Sequence, residues 1–147
     1  MTLLLCATTM AQSATSWVQT ASGQDDSGGG AASLHVESVL PKSVKFIQGN
    51  YREAFVRVVF TPAIPGMPGA AAIATTISYA MVDCNDLSWG DVSQIAFDRN
   101  MEPVMSTTGV FDQSKPVWTL KGMEKLSPAD ITYRTAQYIC HVSIAGQ

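Results

Sequence analysis

Two long strand-forming runs, joined by a stretch that can continue neither, constrain this chain most. "YREAFVRVVFT" at 51–61 puts Ala54, Val56, Val58 and Phe60 on one face and Phe55, Arg57 and Val59 on the other. Strand side chains alternate between faces, so a run that is apolar on both sides belongs in the middle of a sheet. In "AIATTISYAMVDC" at 72–84, Ile73, Thr75, Ile77, Tyr79 and Met81 share one face. Ala74, Thr76, Ser78, Ala80, Val82 and Cys84 share the other, and their small size lets a helix lie close. Between the runs, "PAIPGMPGAA" holds three prolines and two glycines and reads as a long hairpin connection. Its members Pro62, Ile64, Pro65, Met67 and Pro68 form a candidate contact loop.

Shorter strands are expected on either side. "SWVQTA" at 16–21 reads as a first strand anchored by Trp17, followed by "SLHVESV" at 33–39 and "KSVKFI" at 42–47. The Gly/Ser-rich segment around 22–32 reads as a flexible turn or linker; it has the glycines of a phosphate cradle but no lysine. "VSQIAFD" at 92–98 is expected to turn Ile95 and Phe97 inward, and "VMSTTGVF" and "KPVWTL", with Trp118, follow. The tail changes period. Ser127 reads as an N-cap, Pro128 as the first helical residue, and Asp130 complements the helix N-terminus. Ile131, Thr135, Ala136, Ile139 and Cys140 then share a face at helical spacing. A run of strands followed by one helix predicts an α+β fold, an antiparallel meander of about six strands with a C-terminal helix packed on it.

At 147 residues the chain is expected to form one domain, over 14–147. Its nine Lys and Arg are scattered and its net charge is −3, which excludes a basic face for nucleic acid. Residues 1–13 read as a signal peptide: the apolar run 2–11 is too short to span a bilayer, and Ala11 and Ser13 occupy the −3 and −1 positions of a cleavage site. No basic residue precedes the run, as expected of a signal truncated at its start. Cys6 suggests lipidation, but Leu5 stands where a small residue should precede a lipidated cysteine. No integral membrane segment is expected in the mature chain.

Removal of the signal leaves Cys84 and Cys140, and an even count in an exported chain favours a disulfide. Zinc is less favoured, since each cysteine stands alone and only His35 and His141 could assist. Calcium is less favoured because Asp83 and Asp86 lack the remainder of an oxygen-ligand loop. No cofactor or metal is expected. For catalysis, His35 and Glu37 lie two apart on one strand face and could form an oriented base. No serine sits in a nucleophile-elbow pattern, so a hydrolase using His35 and Glu37 is the weakest of the functional readings. Met67, Met81, Met101, Met105 and Met123 are spread out and read as packing residues.

The arrangement of Trp17, "LHVESV", "MVDC" at 81–84, "PVWTL" at 116–120 and "YIC" at 138–140 resembles the surface-adhesin protein E family of Gram-negative bacteria. The chain departs from it in Glu37, where the family often has a small residue, in an expanded 62–70 insertion, and in "MSTTG". The resemblance implies an intramolecular Cys84–Cys140 disulfide and location in the periplasm or on the outer-membrane surface. It also implies a non-enzymatic function, with host matrix or serum proteins bound through sheet and loops, and a homodimer built on the sheet. It supplies no partner-binding residues. The alternative among binding proteins is a periplasmic accessory or inhibitor domain acting on an envelope enzyme.

Overall fold

A computed structural model describes residues 16–25, 32–108 and 123–144. The expected signal peptide 1–13, most of the Gly/Ser-rich segment and "KPVWTL" with Trp118 lie outside these residues. The strands are β1 (Val18–Asp25), β2 (Ser33–Val39), β3 (Lys45–Gln48), β4 (Tyr51–Ile64), β5 (Ile73–Asp83), β6 (Ser88–Phe97), β7 (Pro103–Thr108) and β8 (Glu124–Lys125). One helix, α1 (Ile131–His141), ends the order. The main path β1-β2-β4-β5-β6-β7 is an antiparallel meander that curls into a half-barrel; β3 pairs with β4, and β8 with β6. The expected α+β architecture is therefore present, with β4 and β5 central.

The helix packs its small apolar face on one end of the concave side. Val39, Ala54, Val56, Ala80 and Val82 meet Ala136 and Ile139 in the core. Two ties hold the C-terminal end of α1 there. Cys84 and Cys140 are bonded, with an S–S distance of 2.05 Å, joining the end of β5 to the helix. Arg52 of β4 donates from Nη1 to the Ile139 carbonyl at 2.9 Å and to the Val142 carbonyl at 2.8 Å. A cation here satisfies carbonyls that a helix end leaves without partners and complements the negative pole of the dipole.

The structure corrects several expectations. The strand β1 continues through Ser22–Asp25, where a flexible segment is expected, because ladder pairing to β2 uses backbone groups that glycine supplies as well as any residue. Gly23 also fits the packing: a Cβ there would stand 2.8 Å from the Ile131 side chain. Pro62 and Ile64 belong to β4 and not to a loop. After Val59↔Thr75 the next pair is Ile64↔Ile73, so β4 advances five residues while β5 advances two. Pro62 falls in this bulged stretch, where no ladder donor is required of it. Only Pro65, Met67 and Pro68 of the candidate loop lie in the connection, where a Cβ on Gly66 would collide with the Ala71 carbonyl.

"KSVKFI" is split into a 3-10 turn at Pro41–Ser43 and the strand β3. Ser43 Oγ closes the turn on the Leu40 carbonyl at 2.6 Å and receives the Phe55 N–H at 2.8 Å. The helix begins later than Ser127 predicts, with Asp130 at the N-cap position. Asp130 turns its carboxylate back to the Ser127 N–H at 2.6 Å, so residues 127–130 form a turn of their own. Ile95 is 42% exposed and pairs with Ile77 on the convex face, not inward. The cause is a bulge. Tyr79 pairs with Ser93 but Ala80 pairs with Asp91, leaving Val92 as an extra residue that reverses the alternation of β6. Met67 and Met101 are also exposed, so packing does not account for them.

Candidate functional site

The helix covers only part of the concave face. Beyond its first turn the half-barrel leaves a cleft of about 340 Å³. One side is apolar, formed by Val58, Phe60, Ile64, Ile73 and Met105. The other is polar, formed by His35, Glu37, Ser78, Asp91, Gln94 and Thr132, with the Trp89 ring beside them. Strand pairing dictates the floor, since His35↔Phe60 and Glu37↔Val58 bring residues of β2 and β4 onto the same face.

Glu37 is the centre of the polar side. It is 2% exposed, and its Oε1 accepts from His35 Nε2 at 2.9 Å and from Thr132 Oγ1 at 2.6 Å. Burial by itself would raise the Glu37 carboxyl, but hydrogen bonds from His35, Thr132 and Thr135 outweigh it and hold its pKa below the ordinary value. The first turn of α1 adds its positive pole. Thr135 also shares a 2.8 Å hydrogen bond with Thr20 of β1, so the network joins two strands to the helix. Asp91 behaves in the opposite way. Desolvation by the cleft raises its pKa, the Glu37 charge adds to this, and donation from Trp89 and Ser78 opposes it. The Trp89 Nε1–H reaches Asp91 Oδ1 at 3.3 Å. The His35 and Phe60 rings meet in a T-shaped contact, with centroids 5.4 Å apart.

The structure thus brings together His35 and Glu37, as their spacing on β2 predicts. It adds Thr132, Trp89 and Asp91, which strand spacing alone does not reveal. Trp89 and Asp91 stand two apart on β6, a hint of a shared face, but the bulge at Val92 decides which face. Ile64 joins the apolar side of the cleft, whereas Met67 is 64% exposed at the hairpin. Asp83 and Asp86 organise the β5–β6 turn: Asp83 Oδ1 accepts the Asn85 N–H at 2.9 Å, and Asp86 Oδ1 accepts the Ser88 N–H at 3.0 Å. His141 Nδ1–H donates to the Gln137 carbonyl at 2.7 Å within the last helical turn. Among the described residues, no group of three or more His, Cys, Asp and Glu side chains could hold a metal ion. No helix among them is long and apolar enough to cross a membrane.

The convex face is the second candidate surface. Leu34 (40%), Phe55 (42%) and Ile95 (42%) are exposed there. The Phe55 and Tyr79 rings pack 5.1 Å apart, and Arg57 stacks on Trp17 at 4.8 Å. Burial and a hydrogen bond to Glu53 raise the Tyr79 hydroxyl pKa.

No protein family, curated protein or solved structure matches this chain.

Proposed function

We propose that this is a non-enzymatic exported protein of a Gram-negative envelope, similar to surface-adhesin protein E, that binds another protein through its sheet. The observation that carries this reading is the convex face. Leu34, Phe55 and Ile95, on β2, β4 and β6, are all at least 40% exposed, and the Phe55–Tyr79 ring pair spans β4 and the intervening β5. Aromatic and aliphatic side chains on a rigid sheet are the usual anchors of a protein interface. The disulfide is compatible with an oxidising compartment. The resemblance in motif order points to host matrix or serum proteins as partners, and to a second copy of the chain as another.

The alternative within the same class is an accessory or inhibitor domain binding an envelope enzyme. A pull-down with the purified protein against host matrix proteins, serum proteins and envelope lysate separates the two. Capture of matrix or serum proteins, abolished by Phe55→Lys and Ile95→Lys, supports the adhesin reading. Capture of an envelope enzyme alone overturns it. A hydrolase reading draws on the 2.9 Å His35–Glu37 contact. Against it, Glu37 is buried and already receives the Thr132 hydroxyl, the arrangement of a structural network. Hydrolysis abolished by His35→Ala would replace the binding reading with the enzymatic one.

A further inference from the structure

The concave cleft lies on the side of the sheet away from the proposed protein-binding face and has a chemistry of its own. From its shape and charge we infer that it binds a small organic cation, an ammonium group carried on an apolar body. The volume of about 340 Å³ falls at the lower end of the range for small-molecule sites. Among the described residues, the cleft is lined by two carboxylates, Glu37 and Asp91, and by no lysine or arginine. Of these, Glu37 is 2% exposed and commits its Oε1 to the network that anchors α1, accepting from Thr132 and from His35. Asp91 accepts from Ser78 and, over a long 3.3 Å, from Trp89, yet it remains exposed, so its carboxylate keeps lone pairs for an incoming charge.

The surroundings of Asp91 suit a cation better than a neutral or anionic ligand. Trp89 and Phe60 line the cleft, and aromatic rings attract ammonium groups through the ring quadrupole. Two carboxylates against a single histidine give the cleft a balance that disfavours a carboxylate or phosphate. The apolar residues Phe60, Ile64, Ile73 and Met105 receive a short hydrocarbon body. The cation then forms an ion pair with Asp91 and lies against the Trp89 ring, while its chain covers the β4–β5 end of the half-barrel.

Hexylammonium, hexanol and hexanoate share one chain length and differ in charge, so they test this inference directly. Each is titrated into the full-length protein while the Trp89 indole N–H signal is followed by NMR, the resonance being assigned by its loss in Trp89→Phe. Hexylammonium should shift that signal saturably and bind about tenfold more tightly than hexanol, with hexanoate weaker still. In Asp91→Asn, which alters an exposed residue, the preference for hexylammonium over hexanol should fall several-fold while hexanol binding is unchanged. Three results overturn the inference: no saturable shift with hexylammonium, hexanol or hexanoate binding as tightly as hexylammonium, or an unaltered preference in Asp91→Asn.

Discussion

Thr132 donates a 2.6 Å hydrogen bond to Glu37, joining the first turn of the only described helix to the second strand across 95 residues of sequence. The pair sits beneath the helix, where the Glu37 carboxylate is almost fully out of water. Thr132→Val keeps the side-chain shape and removes the donor. A hydrogen bond to a buried charge contributes about 1.5–3 kcal/mol, so the variant should lose stability of that order in urea unfolding. Thr132→Ser, which keeps the donor, should recover most of it.

Glu37 and Asp91 should give stability opposite dependences on pH. The folded-state pKa of Glu37 lies below its ordinary 4.5, so its contribution is fully present above that value and is lost as pH falls through the lowered one. Asp91 is raised above 3.8, so it detracts from stability increasingly as pH rises from there through its folded pKa. Relative to wild type, Glu37→Gln should therefore show a shallower acid limb. Asp91→Asn should gain on wild type as pH rises and lose the difference below pH 3.8. Midpoints of thermal unfolding between pH 2.5 and about 7 measure both effects.

The Cys84–Cys140 bridge closes a separation of 56 residues. On the chain-entropy account, loss of a bridge of this span costs roughly 4 kcal/mol. Reduction, or the double change Cys84→Ala with Cys140→Ala, should lower the urea midpoint accordingly. Intact mass after alkylation, with and without reductant, checks the bond itself. Two alkylated thiols in the unreduced protein would disprove it.

Arg52 is predicted to support the same helix end without any covalent bond. Arg52→Met retains much of the aliphatic stem but strips the Ile139 and Val142 carbonyls of their charged donor. The expected cost is about 1.5–3 kcal/mol. Hydrogen exchange should rise first in the last turn of α1, since that is where the donor acts.

A side chain at Gly23 should force the Ile131 side chain to shift. Gly23→Val places its Cβ against Ile131 and should destabilise the protein by about 1–3 kcal/mol, as overpacking does. Combining it with Ile131→Ala should recover part of that loss. A double-mutant cycle reads the coupling directly.

Much of the fold is legible from residue alternation. β2 matches its expected span residue for residue, the small face of β5 does receive the helix, and Thr135, Ala136 and Ile139 are the buried face of α1. What escapes alternation is irregularity. Pro62 signals a break, yet β4 passes it because the ladder to β5 is interrupted there and leaves no donor unpaired. Ser22 and Gly23 suggest a linker, yet their backbones complete a pair with β2. Ile95 and Phe97 suggest an inward face because they are the largest apolar residues of the run 92–98, but a sheet with apolar residues on both faces cannot be oriented by hydrophobicity alone. Of the cleft, the His35–Glu37 pair and the apolar row of Val58 and Phe60 can be read from local spacing. Thr132, Asp91 and Arg52 acquire their roles from partners distant in sequence.

The extra residue at Val92 amounts to a shift of reading frame within one strand. On its C-terminal side Gln94 and Ala96 face the concave side; on its N-terminal side the odd-numbered Trp89 and Asp91 do, through Val82 and Ala80 opposite them. A uniform register continued from Ser93 would turn Gly90 and Val92 inward and deliver a bland wall. One inserted residue is thus enough to write an indole and a carboxylate onto that wall, with no side chain substituted. In a scaffold of this kind, binding chemistry can be gained or lost by a change in length as readily as by a change in composition.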